Sequence, residues 1–131
     1  MTDPISDMLT QIRNALAVKK PEVVLQYSKF KHALGQTLAQ NGFLEKVETA
    51  EDASERKLLK LKLKYDGTGA PTITGLKRIS KPGQRMYAKV TRIPRSSFGL
   101  GATIVSTSRG LMTSDQAKAK KLGGELICEI W

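Results

Sequence analysis

Cysteine and histidine are nearly absent from the sequence, which holds one of each, Cys128 and His32. A disulfide within the chain needs two cysteines, and a zinc cluster of cysteine and histidine needs about four ligands, so both are excluded. We therefore expect no metal site and interpret His32 as a surface residue.

Long apolar runs are also missing, and none approaches the roughly 18 residues that a membrane-spanning helix requires. The chain opens with acidic and polar residues, whereas a signal peptide has a basic start and an apolar middle. These features predict a cytoplasmic protein with no membrane partner.

Carboxylates are missing from one long stretch, since none occurs between Gly67 and Ser114. Up to Asp66 the chain has 11 lysines and arginines against 9 aspartates and glutamates, whereas from Gly67 on it has 11 against 3. Most of the net charge of +10 therefore falls in the second half. Such a charge distribution favours a nucleic-acid partner, and the alternative is a basic face that is only solvated.

Helical spacing of apolar residues is clearest in the first half of the chain. Asp3-Pro4 has the chemistry of a helix start, and the apolar stripe that follows ends at Leu16. Ser28 caps a second predicted helix, which Asn41-Gly42 ends. One face of each helix is expected to be buried.

Strand patterns dominate the rest, and the clearest is the alternation of leucine and lysine before Tyr65. Turn chemistry in the segment 66–71 marks a domain boundary, with an N-terminal α/β domain at 1–66 and a mainly β domain at 67–131. We predict an acidic loop at 49–55, a Pro82-Gly83 type II turn that joins two strands as a hairpin, and a short helix from Ser114 to about Lys121. The expected fold class is α+β, with two helices and a small sheet followed by a mainly β domain with one short helix.

Three lysines of the first half are candidate phosphate ligands. Lys29 and Lys31 fall at the positive start of the second helix, where they oppose the helix dipole unless an anion is close, or are ordinary surface lysines. Lys60, Lys62 and Lys64 are spaced so that they could follow a nucleic-acid backbone, whereas for Lys62 and Lys64 the favoured alternative is that they block association at a strand edge.

The segment from Ser106 to Thr113 combines four hydroxyls, one arginine and one glycine between a predicted strand and a predicted helix. Small hydroxyls both donate and accept hydrogen bonds, so they suit the sugar edge of RNA, while Arg109 suits a phosphate. By composition alone an ordinary polar turn explains the segment equally well.

Catalysis finds little support, because neither Ser106 nor Ser108 lies in a nucleophile elbow and no paired carboxylates occur in the basic half. Gly99-Leu100-Gly101 is neither a P-loop nor a dinucleotide fingerprint. We expect no enzyme activity, no catalytic residue and no cofactor.

Several segments, in this order and spacing, together resemble the family of small-subunit ribosomal protein eight in its bacterial form, and the resemblance covers essentially the whole chain. The segments are 3–15, Ser80-Lys81-Pro82-Gly83, Gly99-Leu100-Gly101, 106–113 and Gly123-Gly124-Glu125. Arg109 stands where the family usually has lysine, Lys121 where it has a small residue, and Glu129 where it has an aromatic, which questions the strand packing near Glu129.

The resemblance implies that the chain is a structural constituent of the small ribosomal subunit, which binds the central domain of the small-subunit ribosomal RNA and supports assembly. It also implies neighbouring ribosomal proteins, among them proteins five and twelve. In some bacteria it implies binding to the protein's own messenger RNA, so the alternative is a translational repressor acting off the ribosome. The implied RNA-binding residues are Ser106, Thr107, Ser108, Arg109, Gly110, Tyr87, Gly124 and Glu125, with Lys29, Lys31 and Lys60 as weaker members.

Overall fold

The computed structural model describes residues 3–89 and 101–131, in which helices combine with antiparallel sheets, so the predicted α+β class is confirmed. The chain divides into two compact units: an N-terminal unit of residues 7–73, and a C-terminal unit of residues 3–6 with 74–131. The predicted boundary after residue 66 stays a prediction. Gly99 and Leu100, which belong to one of the segments that carry the family resemblance, lie outside the described ranges.

The first five elements form a small sheet with two helices. They are α1 (Pro4–Ala17), β1 (Glu22–Gln26), α2 (Lys29–Gln40), β2 (Leu44–Glu51) and β3 (Lys57–Leu63). The three strands are antiparallel in the order β1-β3-β2, so β3 is the central strand. None of the helices in the described ranges is long and apolar enough to cross a membrane.

Both predicted helix starts are confirmed by side-chain caps. The Asp3 carboxylate accepts hydrogen bonds from the Ser6 backbone N–H at 3.2 Å and from its hydroxyl at 2.6 Å. The Ser28 hydroxyl accepts from the Lys31 backbone N–H at 3.1 Å. These bonds satisfy donors that the first turn of a helix leaves without intrahelical partners.

The predicted alternation along β3 is confirmed, because Leu59, Leu61 and Leu63 are buried. The alternative in which Lys62 blocks association at a strand edge is wrong, since β3 is paired on both sides. Lys62 instead lies 3.8 Å from the Glu48 carboxylate on the neighbouring strand.

The predicted acidic loop at 49–55 is too long by three residues. β2 continues to Glu51, which pairs with Lys57, and only the segment 52–56 turns the chain. The Asp52 carboxylate holds this turn by accepting from the backbone N–H groups of Ser54 and Arg56. Pairing with β3 therefore outweighs the polar composition of the segment, as tertiary context commonly does in strands.

The C-terminal unit contains a second sheet. Its elements are β4 (Leu76–Arg78), β5 (Tyr87–Ala88), β6 (Ala102–Thr107), β7 (Gly110–Thr113), α3 (Ser114–Ala119) and β8 (Gly124–Ile130). The order is β4-β8-β6-β7, and β5 also pairs with β8. The predicted short helix is α3, and a capping box is present at its start, where Thr113 and Gln116 exchange hydrogen bonds. Val105, Met112, Ala117 and Leu126 form a buried cluster.

The predicted hairpin of β4 and β5 is wrong. Both strands pair with β8 rather than with each other, β4 with residues 128–130 and β5 with residues 124–125. The turn between Lys81 and Gln84 is present, but Gly83 lacks the positive φ that a type II turn requires. Glycine is therefore not needed at this position for its backbone freedom.

The two departures from the family pattern that concern packing have simple structural outcomes. β8 continues through Glu129, which is buried and pairs with Lys77 and Thr103, so the strand is not disrupted there. Lys121 adopts a φ of 56° just after α3, in the left-handed region that favours glycine. A lysine therefore occupies a position whose backbone explains why a small residue is common there.

Candidate nucleic-acid interface

The predicted loop at 106–110 is a tight β-hairpin. β6 ends at Thr107 and β7 begins at Gly110, so only Ser108 and Arg109 lie between the two strands. Gly110 has a φ of 105°, which a residue with a side chain rarely adopts. The sequence did not reveal β7, because its residues also suit a polar turn that leads into a helix cap.

Thr107 stabilises this turn through its side chain. Its hydroxyl accepts a hydrogen bond from the Arg109 backbone N–H at 3.1 Å and donates one to the Gly110 carbonyl at 2.8 Å. Ser108 and Arg109 are exposed, whereas Ser106 is half-buried. The hydroxyl of Thr107 is therefore engaged within the protein, and the exposed turn residues are Ser108 and Arg109.

Tyr87, Glu125, Ser106 and Leu111 form one row across four strands. Tyr87 pairs with Glu125, Glu125 pairs with Ser106, and Ser106 pairs with Leu111. Directly paired residues present their side chains to the same face of a sheet, and neighbouring strands lie about 4.8 Å apart. Tyr87 and Ser106 therefore lie roughly 10 Å apart on one face, with Glu125 between them.

Gly124 is where β8 comes very close to β6. A Cβ atom at this position would lie 2.0 Å from the Ser106 carbonyl oxygen and 2.8 Å from its carbonyl carbon. No side chain fits there, because both obstructing atoms belong to the backbone. The absence of a side chain at Gly124 therefore allows β8, which pairs with Tyr87 of β5, to lie close to Ser106 of β6.

Tyr87 is the most exposed large hydrophobic side chain in the described part of the chain, at 69%. It lines an open depression of about 590 Å³ together with Ala88, Lys89, Gly123 and Gly124. A largely exposed tyrosine ring held on a strand offers a platform for an unstacked base.

Glu125 directs its carboxylate to protein partners. Oε2 accepts a hydrogen bond of 2.5 Å from the buried Ser80 hydroxyl and one of 3.0 Å from the Arg85 guanidinium. Burial alone raises the pKa of Glu125, but the hydrogen bonds from Ser80 and Arg85 outweigh it and hold the pKa below its ordinary value. The residue is therefore an anion that Ser80 and Arg85 compensate.

Lys29, Lys31 and Lys60 belong to the N-terminal unit. Lys29 and Lys31 are the first and third residues of α2, whose first turn contains no acidic residue, and Lys60 lies on central β3. The Lys57 ammonium nitrogen lies 4.0 Å from the centre of the Tyr27 ring, just before α2. No spacing or motif in the sequence indicates this contact.

The structure thus brings together eight of the predicted site residues at one end of the C-terminal sheet. They are Tyr87, Ser106, Thr107, Ser108, Arg109, Gly110, Gly124 and Glu125. Ser80 and Arg85 were not predicted as site residues. Ser80 nevertheless belongs to a segment that carries the family resemblance, and Arg85 lies in the acid-free stretch. Within the described ranges, no group of three or more His, Cys, Asp or Glu side chains is placed to hold a metal ion.

Two neighbouring hydroxyls in the hairpin are expected to respond differently to substitution. Ser108→Ala should weaken specific RNA binding by about 1–3 kcal/mol if a hydrogen bond to RNA is lost, with little change in stability. Thr107→Val should instead lower the free energy of unfolding by roughly 1 kcal/mol, because two bonds within the turn are lost. Urea denaturation and RNA titration of both variants measure this. Unchanged RNA affinity in Ser108→Ala would remove Ser108 from the site.

Comparison with known proteins gives one consistent result. The family model described as ribosomal protein S8 matches residues 3–131. Small ribosomal subunit protein uS8 from Desulforamulus reducens is 49% identical over 131 residues, covering 100% of this chain and 98% of that protein. The uS8 proteins of an Exiguobacterium species and of Halalkalibacterium halodurans are 48% and 47% identical with the same coverage.

Proposed function

Because the chain belongs to the ribosomal protein S8 family, we propose that it binds the central domain of the small-subunit ribosomal RNA through the end of its C-terminal sheet. The protein is a structural constituent of the small ribosomal subunit and not an enzyme. It is ribosome-bound in the bacterial cytoplasm, with ribosomal RNA and other ribosomal proteins as its partners.

The row from Tyr87 to Ser106 is the observation that carries the proposal. It sets an exposed aromatic ring and a hydroxyl roughly 10 Å apart on one face, beside a turn that exposes a second hydroxyl and a guanidinium. Base stacking, sugar contacts and phosphate pairing are the main ways in which proteins recognise irregular RNA. One end of one sheet offers all three.

The rigidity of this end also supports the proposal. Ser106 and Gly124 lie on paired strands, and Thr107 holds the turn with two hydrogen bonds. Groups held by a sheet lose little conformational entropy on binding, so more of their interaction energy appears as affinity.

Residues 67–131 form the RNA-binding domain, with Lys29, Lys31 and Lys60 adding weaker contacts. Binding supports assembly of the subunit, and the ribosomal neighbours include proteins five and twelve, as the resemblance implies. The acid-free stretch that begins at Gly67 supports an RNA-binding role for residues 67–131, because it concentrates lysines and arginines in this part of the sequence.

Binding to separate RNA domains tests the proposal. The three major domains of the small-subunit RNA are transcribed individually and titrated with the purified chain at several salt concentrations. We expect the central domain to bind about 10³-fold or more tightly than the other two, as specific complexes bind relative to non-specific ones. Equal affinity for all three domains, with equal salt dependence, would contradict the central-domain assignment.

A further inference from the structure

Arg85 and Glu125 form an ion pair inside the candidate interface. The guanidinium Nη1 lies 3.0 Å from Oε2 of Glu125, and the side chain of Arg85 is 49% exposed against 17% for that of Glu125. The Glu125 carboxylate is therefore the more enclosed partner, and about half of the Arg85 side chain is exposed to solvent. An arginine has five N–H donors, and this bond uses one of them.

Ser80 fixes the carboxylate from the protein side. Its hydroxyl is fully buried, donates to Oε2 of Glu125 and accepts from the Met86 backbone N–H at 3.1 Å. The Met86 carbonyl in turn accepts from the Leu126 N–H at 2.8 Å. The segment from Ser80 to Met86, which carries Arg85, is thus joined to Glu125 and Leu126 of β8 by hydrogen bonds at both of its ends.

The location makes an uncompensated carboxylate unfavourable. Glu125 pairs directly with Tyr87 and with Ser106, so its charge lies in the middle of the row that is proposed to meet RNA. A bare carboxylate there would repel phosphate. A Glu125 carboxylate paired with Arg85 orients the guanidinium instead.

We propose that Arg85 is a phosphate-binding residue, and that Glu125, itself held by Ser80, is a positioning residue that keeps the guanidinium beside Tyr87. The inference rests on the proposed RNA-binding function and adds a contact to it. Glu125 then acts through Arg85 rather than by touching RNA. Arginine suits the task because its planar fork can bind a carboxylate and a phosphate at the same time.

The sign of the Glu125→Gln effect tests the proposal, since this variant removes a negative charge and keeps the shape. If the carboxylate positions Arg85, Glu125→Gln should weaken binding to the central-domain RNA by roughly five- to tenfold, although the protein becomes more positive. If the carboxylate only repels RNA, the same variant should bind more tightly. In an Arg85→Ala background, where nothing is left to position, Glu125→Gln should tighten binding.

The salt dependence of the Arg85→Ala variant completes the test. The logarithm of the binding constant falls as the logarithm of the salt concentration rises, and loss of one phosphate contact should reduce the magnitude of this slope by roughly one. Arg56→Ala is the matched control, because Arg56 is an exposed arginine in the turn between β2 and β3, and its slope should not change. Thermal melts of each variant, followed by circular dichroism, confirm that the proteins compared are folded.

The possible outcomes separate this inference from the proposed function. An unchanged slope in Arg85→Ala, or tighter binding by Glu125→Gln with Arg85 present, would overturn the role of Arg85 while wild-type binding to the central domain stands. Absence of specific binding by the wild-type chain would overturn both. A reduced slope together with the reversal of sign between the two backgrounds is the result that supports the proposal.

Discussion

A Gly124→Ala variant is expected to lose about 3 kcal/mol of folding stability, an overpacking effect at the upper end of the usual range. The added Cβ would lie 2.0 Å from the Ser106 carbonyl oxygen, so β6 and β8 must move apart. Both obstructing atoms are backbone, and no side-chain rotation relieves the contact. RNA binding should fall with stability, because the row between Tyr87 and Ser106 depends on this close pairing.

Gly83→Ala is the matched control for this prediction. Gly83 lies in an exposed turn, has no positive φ, and its added Cβ would meet nothing within 4 Å. Its stability should change by no more than about 0.5 kcal/mol. Urea denaturation of both variants measures the difference, and equal stability of Gly124→Ala and Gly83→Ala would show that β6 and β8 are not packed as closely as described.

A Tyr87→Ala variant is expected to lose about 1–3 kcal/mol of RNA-binding free energy, the range found when an aromatic that stacks on a base is removed. This corresponds to roughly five- to 150-fold in affinity. Stability should hardly change, since the side chain is 69% exposed and belongs to a two-residue strand. The loss should be nearly independent of salt, because no charge is removed.

Tyr87→Phe separates stacking from hydrogen bonding by the phenol. The ring is retained, so the variant should keep most of the affinity that Tyr87→Ala loses. Titration of both variants with the same RNA measures the effect. If Tyr87→Ala binds as tightly as the wild-type chain, the aromatic is not a stacking platform and the depression beside it is not part of the interface.

Local features of the fold were predictable because each depends on residues close together in the chain. Ser28 caps α2 through a bond three residues away, and the capping box of α3 spans Thr113 to Gln116. The alternation around Leu61 identified the buried face of β3, since side chains of a strand alternate between faces.

Pairing between distant segments was not predictable. The turn at Pro82-Gly83 suggested that β4 pairs with β5. Each strand pairs instead with β8, which lies more than thirty residues later in the sequence. Whether β3 was an edge or a central strand depended in the same way on β1 and β2. Composition cannot decide between partners that are all short and apolar enough to pair.

The candidate site shows the same division. Residue types at 106–110 suggested contact with RNA. They did not show that the Thr107 hydroxyl makes two hydrogen bonds within the turn. The bond between Arg85 and Glu125 joins residues 40 positions apart, and no spacing in the sequence signals it. Only the register of β5, β6 and β8 places Tyr87 and Ser106 on either side of Glu125.

Hydrogen exchange of the full chain, with and without the central-domain RNA, tests most directly where the RNA binds. We expect added protection at Tyr87, at residues 106–110 and at Gly123-Gly124, with smaller changes at the start of α2. Protection confined to residues 7–73, with no change at the β6–β7 turn, would contradict the assignment of the interface to the end of the C-terminal sheet.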